Sequence, residues 1–250
     1  MFGIELELAL AAFAVTLLAG FVKGAVGFAQ PMIMISGLAT FLPPEMALAA
    51  LIIPTVVSNV WQSLRDGFAA AWAAMREYWL YLLILGACIL ASAQLVSVLD
   101  GNTMLLILGV PVTLFCIIQL LGFTLKLNSR NRVAEAIFAA LAGGVGGISG
   151  VWGPLTVIYL NAVDTPKQKS MLVQGVIYGI GAVLLLAAHL RSGVLNAQTL
   201  PLSFAMVVPA MLGMAMGLAV HDRLDQKRFK QLTLIVLVFA GLNLIRRGLS

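Results

Sequence analysis

Gly20-Phe21-Val22-Lys23-Gly24-Ala25-Val26-Gly27-Phe28-Ala29-Gln30-Pro31 has a second copy 123 residues downstream: Gly143-Gly144-Val145-Gly146-Gly147-Ile148-Ser149-Gly150-Val151-Trp152-Gly153-Pro154. At that one offset Gly20/Gly143, Gly24/Gly147, Gly27/Gly150, Pro31/Pro154 and Pro43/Pro166 all pair. Leu18, Ala19, Val22, Ile35 and Ala39 pair as well, giving 10 identities in the 26 positions 18–43. Interrupted apolar segments at corresponding places in two halves are the best sequence pointer to a transporter binding site.

The surrounding composition decides the solvent. The chain is 61% hydrophobic, carries 10% charged residues and has a mean hydropathy of +1.04. A soluble domain carries about 25% charged residues, so this chain reads as an all-α integral membrane protein. The net charge of +5 is spread over short loops rather than gathered in one patch, which argues against a nucleic-acid partner. Cys88 and Cys116 lie in apolar stretches and read as structural thiols, not as a disulfide or a metal pair. The first ten residues hold Glu5 and Glu7 but no basic segment, so the first hydrophobic stretch reads as a retained span rather than a secretory signal.

Apolar runs and breaks give ten segments, at about 4–22, 28–42, 46–63, 78–98, 103–123, 133–150, 154–163, 171–190, 202–220 and 232–247. Crossing the hydrocarbon takes about 20 residues, so the second and seventh are short. Each repeat, about 1–125 and about 130–250, therefore has about five helical segments, the first two broken or re-entrant. Residues 64–77 read as the longest polar connection, leaving one membrane transport domain, 1–250.

Charge sets the orientation. With an odd number of crossings per repeat, Arg65, Arg76, Lys126, Arg130, Arg132, Lys167, Lys169, Arg223, Lys227, Arg228 and Lys230 fall on one side. Arg191, Arg246 and Arg247 fall on the other. The positive-inside rule then predicts periplasmic termini and two repeats inverted in the membrane. Trp72, Tyr78, Trp79 and Tyr81 read as an interfacial aromatic belt.

Non-helical backbone at membrane depth must face protein or a water-lined cavity. Proline favours the first turn of a helix, so Pro31 and Pro154 predict two helix starts that point into the membrane from opposite sides. Free N–H groups and the positive dipole end make such starts suited to an anion. Close helix packing through small residues is the competing reading for any single glycine. Lys23, inside the first break, is the natural counter-charge unless it snorkels to a surface. The substrate-binding candidates are Lys23, Gly24, Gly27, Gln30, Pro31, Asn59, Gly147, Gly150, Trp152, Gly153, Pro154 and Gln174. Ser58 and Gln62, and Gln174 and Tyr178, share helix faces at spacing four. Glu45, Glu135 and Asp164 sit at segment edges and His189 at a span end, so no proton relay is visible. No catalytic grouping, metal cluster, phosphate-binding loop or cofactor motif is recognisable, and an enzyme is not expected.

The two glycine–proline blocks, with Leu190-Arg191-Ser192-Gly193 echoing Leu64-Arg65-Asp66-Gly67 and with Gly86 and Gly213, resemble the sulfite exporter TauE/SafE family along essentially the whole chain. The resemblance implies a multi-pass carrier of the bacterial inner membrane that moves small sulfur-containing anions. The expected function is export of sulfite or a related sulfonate by alternating access. An importer or channel for another small anion, or a membrane scaffold subunit without a substrate, remain the alternatives. The expected partners are the small anion and the lipid bilayer, with a homodimer left open.

Overall fold

The computed structural model describes residues 5–123, 125–127, 131–220, 223 and 225–250, with the side chains of 167, 168 and 226 left aside. Arg130, one of the loop cations counted above, lies outside the described residues.

Apolar content and helix-compatible sequence produce twelve α-helices among the described residues, and no strand. They are α1 (Leu6–Val26), α2 (Gln30–Leu38), α3 (Pro44–Leu64), α4 (Phe68–Glu77), α5 (Trp79–Ser92), α6 (Gly101–Leu120), α7 (Arg132–Ser149), α8 (Gly153–Ala162), α9 (Lys167–Ser192), α10 (Leu200–Ala205), α11 (Val207–Val220) and α12 (Gln226–Gly248). A short 3₁₀ segment, Ala93–Val98, prolongs α5, and α10 runs into α11 to make one span. Among the described residues, eight helical stretches are long and apolar enough to cross a membrane. The chain is therefore a multi-pass membrane protein. Leu10, Phe13, Leu83, Leu90, Leu114 and Phe239 are exposed around its flanks, where acyl chains would cover them.

The helices pair in a repeating manner. α1 packs on α11 and α5 on α7, while α3 packs on α9 and α6 on α12. Glycines set the closest approaches. A methyl group on Gly20 or Gly24 would strike the carbonyl oxygens of Ala210 and Met214, and one on Gly143 or Gly147 would strike those of Leu85 and Ile89. Gly109 lies against Gly241 and Gly248 against Asn102, so α6 and α12 run antiparallel. Gly175 and Gly179 meet Ser63 and Asn59 in the same antiparallel sense between α3 and α9. Pro54, inside α3, disturbs the local ladder, and Ile53 N–H donates to Ser203 Oγ at 3.1 Å. Such side-chain rescue is how helix-breaking residues survive in lipid.

These facts correct the expected geometry of the glycine runs. α1 and α7 are unbroken through Gly20, Gly24, Gly143 and Gly147, and both are long enough to span. The interruptions are short, at 27–29 and 150–152, and only the second arm of each pair is short. The glycine spacing of four serves packing against a neighbouring helix, as small residues do in membranes.

Two further expectations change. The connection 64–77 contains the helix α4, whose alanine-rich sequence favours helix despite its charges. Trp72 and Trp79 are exposed, but Tyr78 and Tyr81 are buried in the core. Tyr81 stacks on Tyr159 with centroids 5.4 Å apart and its hydroxyl bonds Thr156 Oγ1 at 3.0 Å. It is a packing residue with a satisfied polar tip. Both cysteines are free, Cys116 buried and Cys88 half-buried.

Candidate functional site

Both interruptions open with the same helix end. α1 ends at Gly27 (φ 84°), whose N–H donates to Lys23 O, and α7 ends at Gly150 (φ 72°), whose N–H donates to Gly146 O. Left-handed φ at these C-caps is what glycine supplies without steric cost. Three residues later a new helix begins. The first ladder bonds are Ile33 N–H to Ala29 O in α2 and Thr156 N–H to Trp152 O in α8. The helices thus begin at Gln30 and Gly153, one residue before the prolines. Neither N-terminus has a side-chain cap. Ala29 also holds a left-handed φ of 78°, a conformation that costs about 1 kcal/mol or more without glycine and tends to occur at functional sites.

The two interruptions meet. Lys23, Pro31 and Asn59 line one small cavity together with Gly150, Trp152, Gly153 and Pro154. Its volume of ≈ 30 Å³, measured by the positions a water can take, is about two waters' worth. A few-atom ion suits that space; a long metabolite does not. Lys23 is 2% exposed. Its ammonium donates to Ser58 Oγ at 3.0 Å and to Asn59 Oδ1. Among the described residues it has no carboxylate partner, and no Asp or Glu lines the cavity. A buried charge with only neutral acceptors is expensive in a membrane and marks functional positions.

Not all sequence candidates converge. Gly27 and Gln174 line a second, wider cavity. Gly24 and Gly147 do not reach either cavity, because each faces a neighbouring helix backbone. Gln30 is fully buried at the start of α2 but does not line the cavity, and its Oε1 lacks a hydrogen-bond partner. The sequence reasoning left out Phe28, Ala29, Met32, Val151 and Tyr178, all of which line the small cavity. Tyr178 was legible only as a face-mate of Gln174. Its hydroxyl donates to Gly153 O at 3.2 Å, tying α9 to the start of α8. Ser58, also noted as polar, is the Lys23 partner rather than a free donor. His189 is buried and bridges Gly147 O at 2.9 Å and Ser192 Oγ at 3.0 Å, a structural link between α7 and α9. Among the described residues no cluster of His, Cys, Asp or Glu is suited to a metal.

A family model described as "Sulfite exporter TauE/SafE" matches residues 12–244. The chain belongs to that family. It is thus a membrane transporter of a family that handles sulfur anions, and not a family of enzymes. Neither the curated proteins nor the solved structures provide a match.

Proposed function

We propose that this chain is a secondary carrier that exports a small sulfur oxyanion, sulfite or a related sulfonate, across the bacterial inner membrane. The observation that carries the reading is the convergence of two uncapped helix starts and one uncompensated lysine on a single ion-sized cavity. Free N–H groups at α2 and α8 and the Lys23 ammonium would hold the anion from three directions. Asn59 would orient both the ammonium and the ion.

Alternating access follows from an inverted pair of repeats. α2 and α8 start 123 residues apart, and so do α3 and α9, the offset of the sequence repeat. The exchange of partners, α1 with α11 against α7 with α5, is what a two-fold axis generates. The antiparallel self-pairs α3–α9 and α6–α12 support an axis lying in the membrane plane. Rocking of one repeat against the other about the cavity would expose it to each side in turn. The distribution of basic loops supports periplasmic termini.

Counterflow in proteoliposomes with radiolabelled sulfite tests the proposal. A carrier accelerates uptake when unlabelled sulfite is loaded inside, and Lys23→Ala and Gly150→Leu should each abolish that uptake. Passive equilibration without trans-stimulation would indicate a channel. Absence of uptake, together with no ligand-induced thermal shift for any small anion, would indicate a scaffold.

A further inference from the structure

A second cavity of ≈ 460 Å³ adjoins the Lys23 cavity, and among the described residues Phe28 is the one that lines both. Its polar lining is Gln62, Asn161, Thr165, Ser170, Gln174 and Lys230. Each of these side chains can donate a hydrogen bond, and none is acidic. Lys230 Nζ donates to Gln119 Oε1 at 3.2 Å and lies 5.8 Å from the centre of the Phe28 ring. Among the described residues this lysine, like Lys23, has no carboxylate partner. Two cations without counter-ions therefore stand in adjoining cavities, with one aromatic ring lining both. The residues flanking that ring, Gly27 and Ala29, both have positive φ, so the ring sits on the non-helical turn between α1 and α2.

We infer that the wider cavity is a staging site for the same class of ligand, a small oxyanion, and that Phe28 is the partition between it and the Lys23 cavity. The inference rests on the anion-carrier reading above. Lys230 raises the local anion concentration in a cleft with low-dielectric walls, where field lines are focused. The neutral donors replace part of the hydration shell before the ion reaches the narrow cavity. The ring then has to swing aside, because the narrow cavity alone holds little more than the ion. Lys230 on the Phe28 face gives the ring a resting position through a cation–π contact. An anion that engages Lys230 weakens that contact, so arrival of the ion favours opening.

The wider cavity lies beside the α12 end that carries Lys227 and Arg228, so the staging site serves that face only. Uptake of radiolabelled sulfite is measured in membrane vesicles of both orientations. Lys230→Gln should raise the half-saturating concentration about tenfold when that face meets the medium, and far less in the opposite orientation. Lys230→Arg should restore it. A sulfite-induced thermal shift should persist in purified Lys230→Gln protein, since the Lys23 cavity is intact. Phe28→Trp should slow turnover about tenfold, as expected when gating limits the rate. Equal half-saturation in the two orientations for Lys230→Gln would overturn the staging site, and unchanged turnover of Phe28→Trp would overturn the partition, in both cases with the carrier reading intact. If wild-type protein shows neither sulfite uptake nor a thermal shift, the carrier reading itself fails.

Discussion

Lys23→Met separates a binding lysine from a structural one, because the two roles give opposite patterns of stability and affinity. The ammonium is 2% exposed and its bonds go to Ser58 and Asn59. Leaving it buried costs several kcal/mol in effective desolvation. Its two charged-donor hydrogen bonds return about 1.5–3 kcal/mol each. These terms nearly cancel, so the unliganded variant should differ from wild type by no more than ~2 kcal/mol. The liganded state behaves differently. An anion about 4 Å from the ammonium gains about 4 kcal/mol at an effective dielectric of about 20, which corresponds to about three decades in Kd. Titration of purified protein with sulfite, read by thermal shift or equilibrium dialysis, measures both quantities on one sample. The expected result is a folded variant of near wild-type melting temperature whose sulfite affinity has dropped by about a thousandfold. A rise in Kd of less than threefold, with the fold intact, would refute the assignment of Lys23 to the anion.

Four further outcomes test the packing, the turns and a helix cap. Gly213→Val should destabilise by about 3 kcal/mol or more, because its Cβ meets the backbone of Leu17 and Phe21 and cannot be relieved by a rotamer change. Gly144→Ala has open space around it and should stabilise the helix by about 0.5–1 kcal/mol; denaturation in a mild detergent reads both. Ala29→Gly should be neutral or stabilising by about 1 kcal/mol, since glycine accepts the positive φ freely. Asp100 accepts from the Thr103 hydroxyl and amide, which hold its carboxyl below the usual range. Asp100→Ala should therefore lower the melting temperature at neutral pH, and the difference should fade as the pH drops through that lowered value, where the wild-type carboxylate is lost too.

The membrane class and the position of the two interruptions were legible because each rests on local chemistry: apolar length, repeated glycine and proline, and the φ that glycine permits. Pro31 and Pro154 located the starts of the half-length helices to within one residue. What misled was the length of the interruptions. Glycine at spacing four, as in Gly20/Gly24 and Gly143/Gly147, suits a close helix contact as well as a break, and only the partner backbones of Ala210, Met214, Leu85 and Ile89 decide which applies. Tyr81 looked interfacial beside Trp79, yet Thr156 and Tyr159, some 75 residues on, provide its partners. Phe28 carried no sequence signal at all, since its place between two cavities depends on α9 and α12 as much as on its own turn.

The position of the bound anion is the most direct test of the site. Selenite has the shape and charge of sulfite and carries an atom with a strong anomalous signal. Crystals of the protein soaked in selenite should show one dominant selenium peak between the starts of α2 and α8, within about 4 Å of Lys23 Nζ, and Lys23→Met crystals should lack it. A dominant peak away from both helix starts, or an equal peak in the Lys23→Met crystals, would contradict the site on which the whole reading depends.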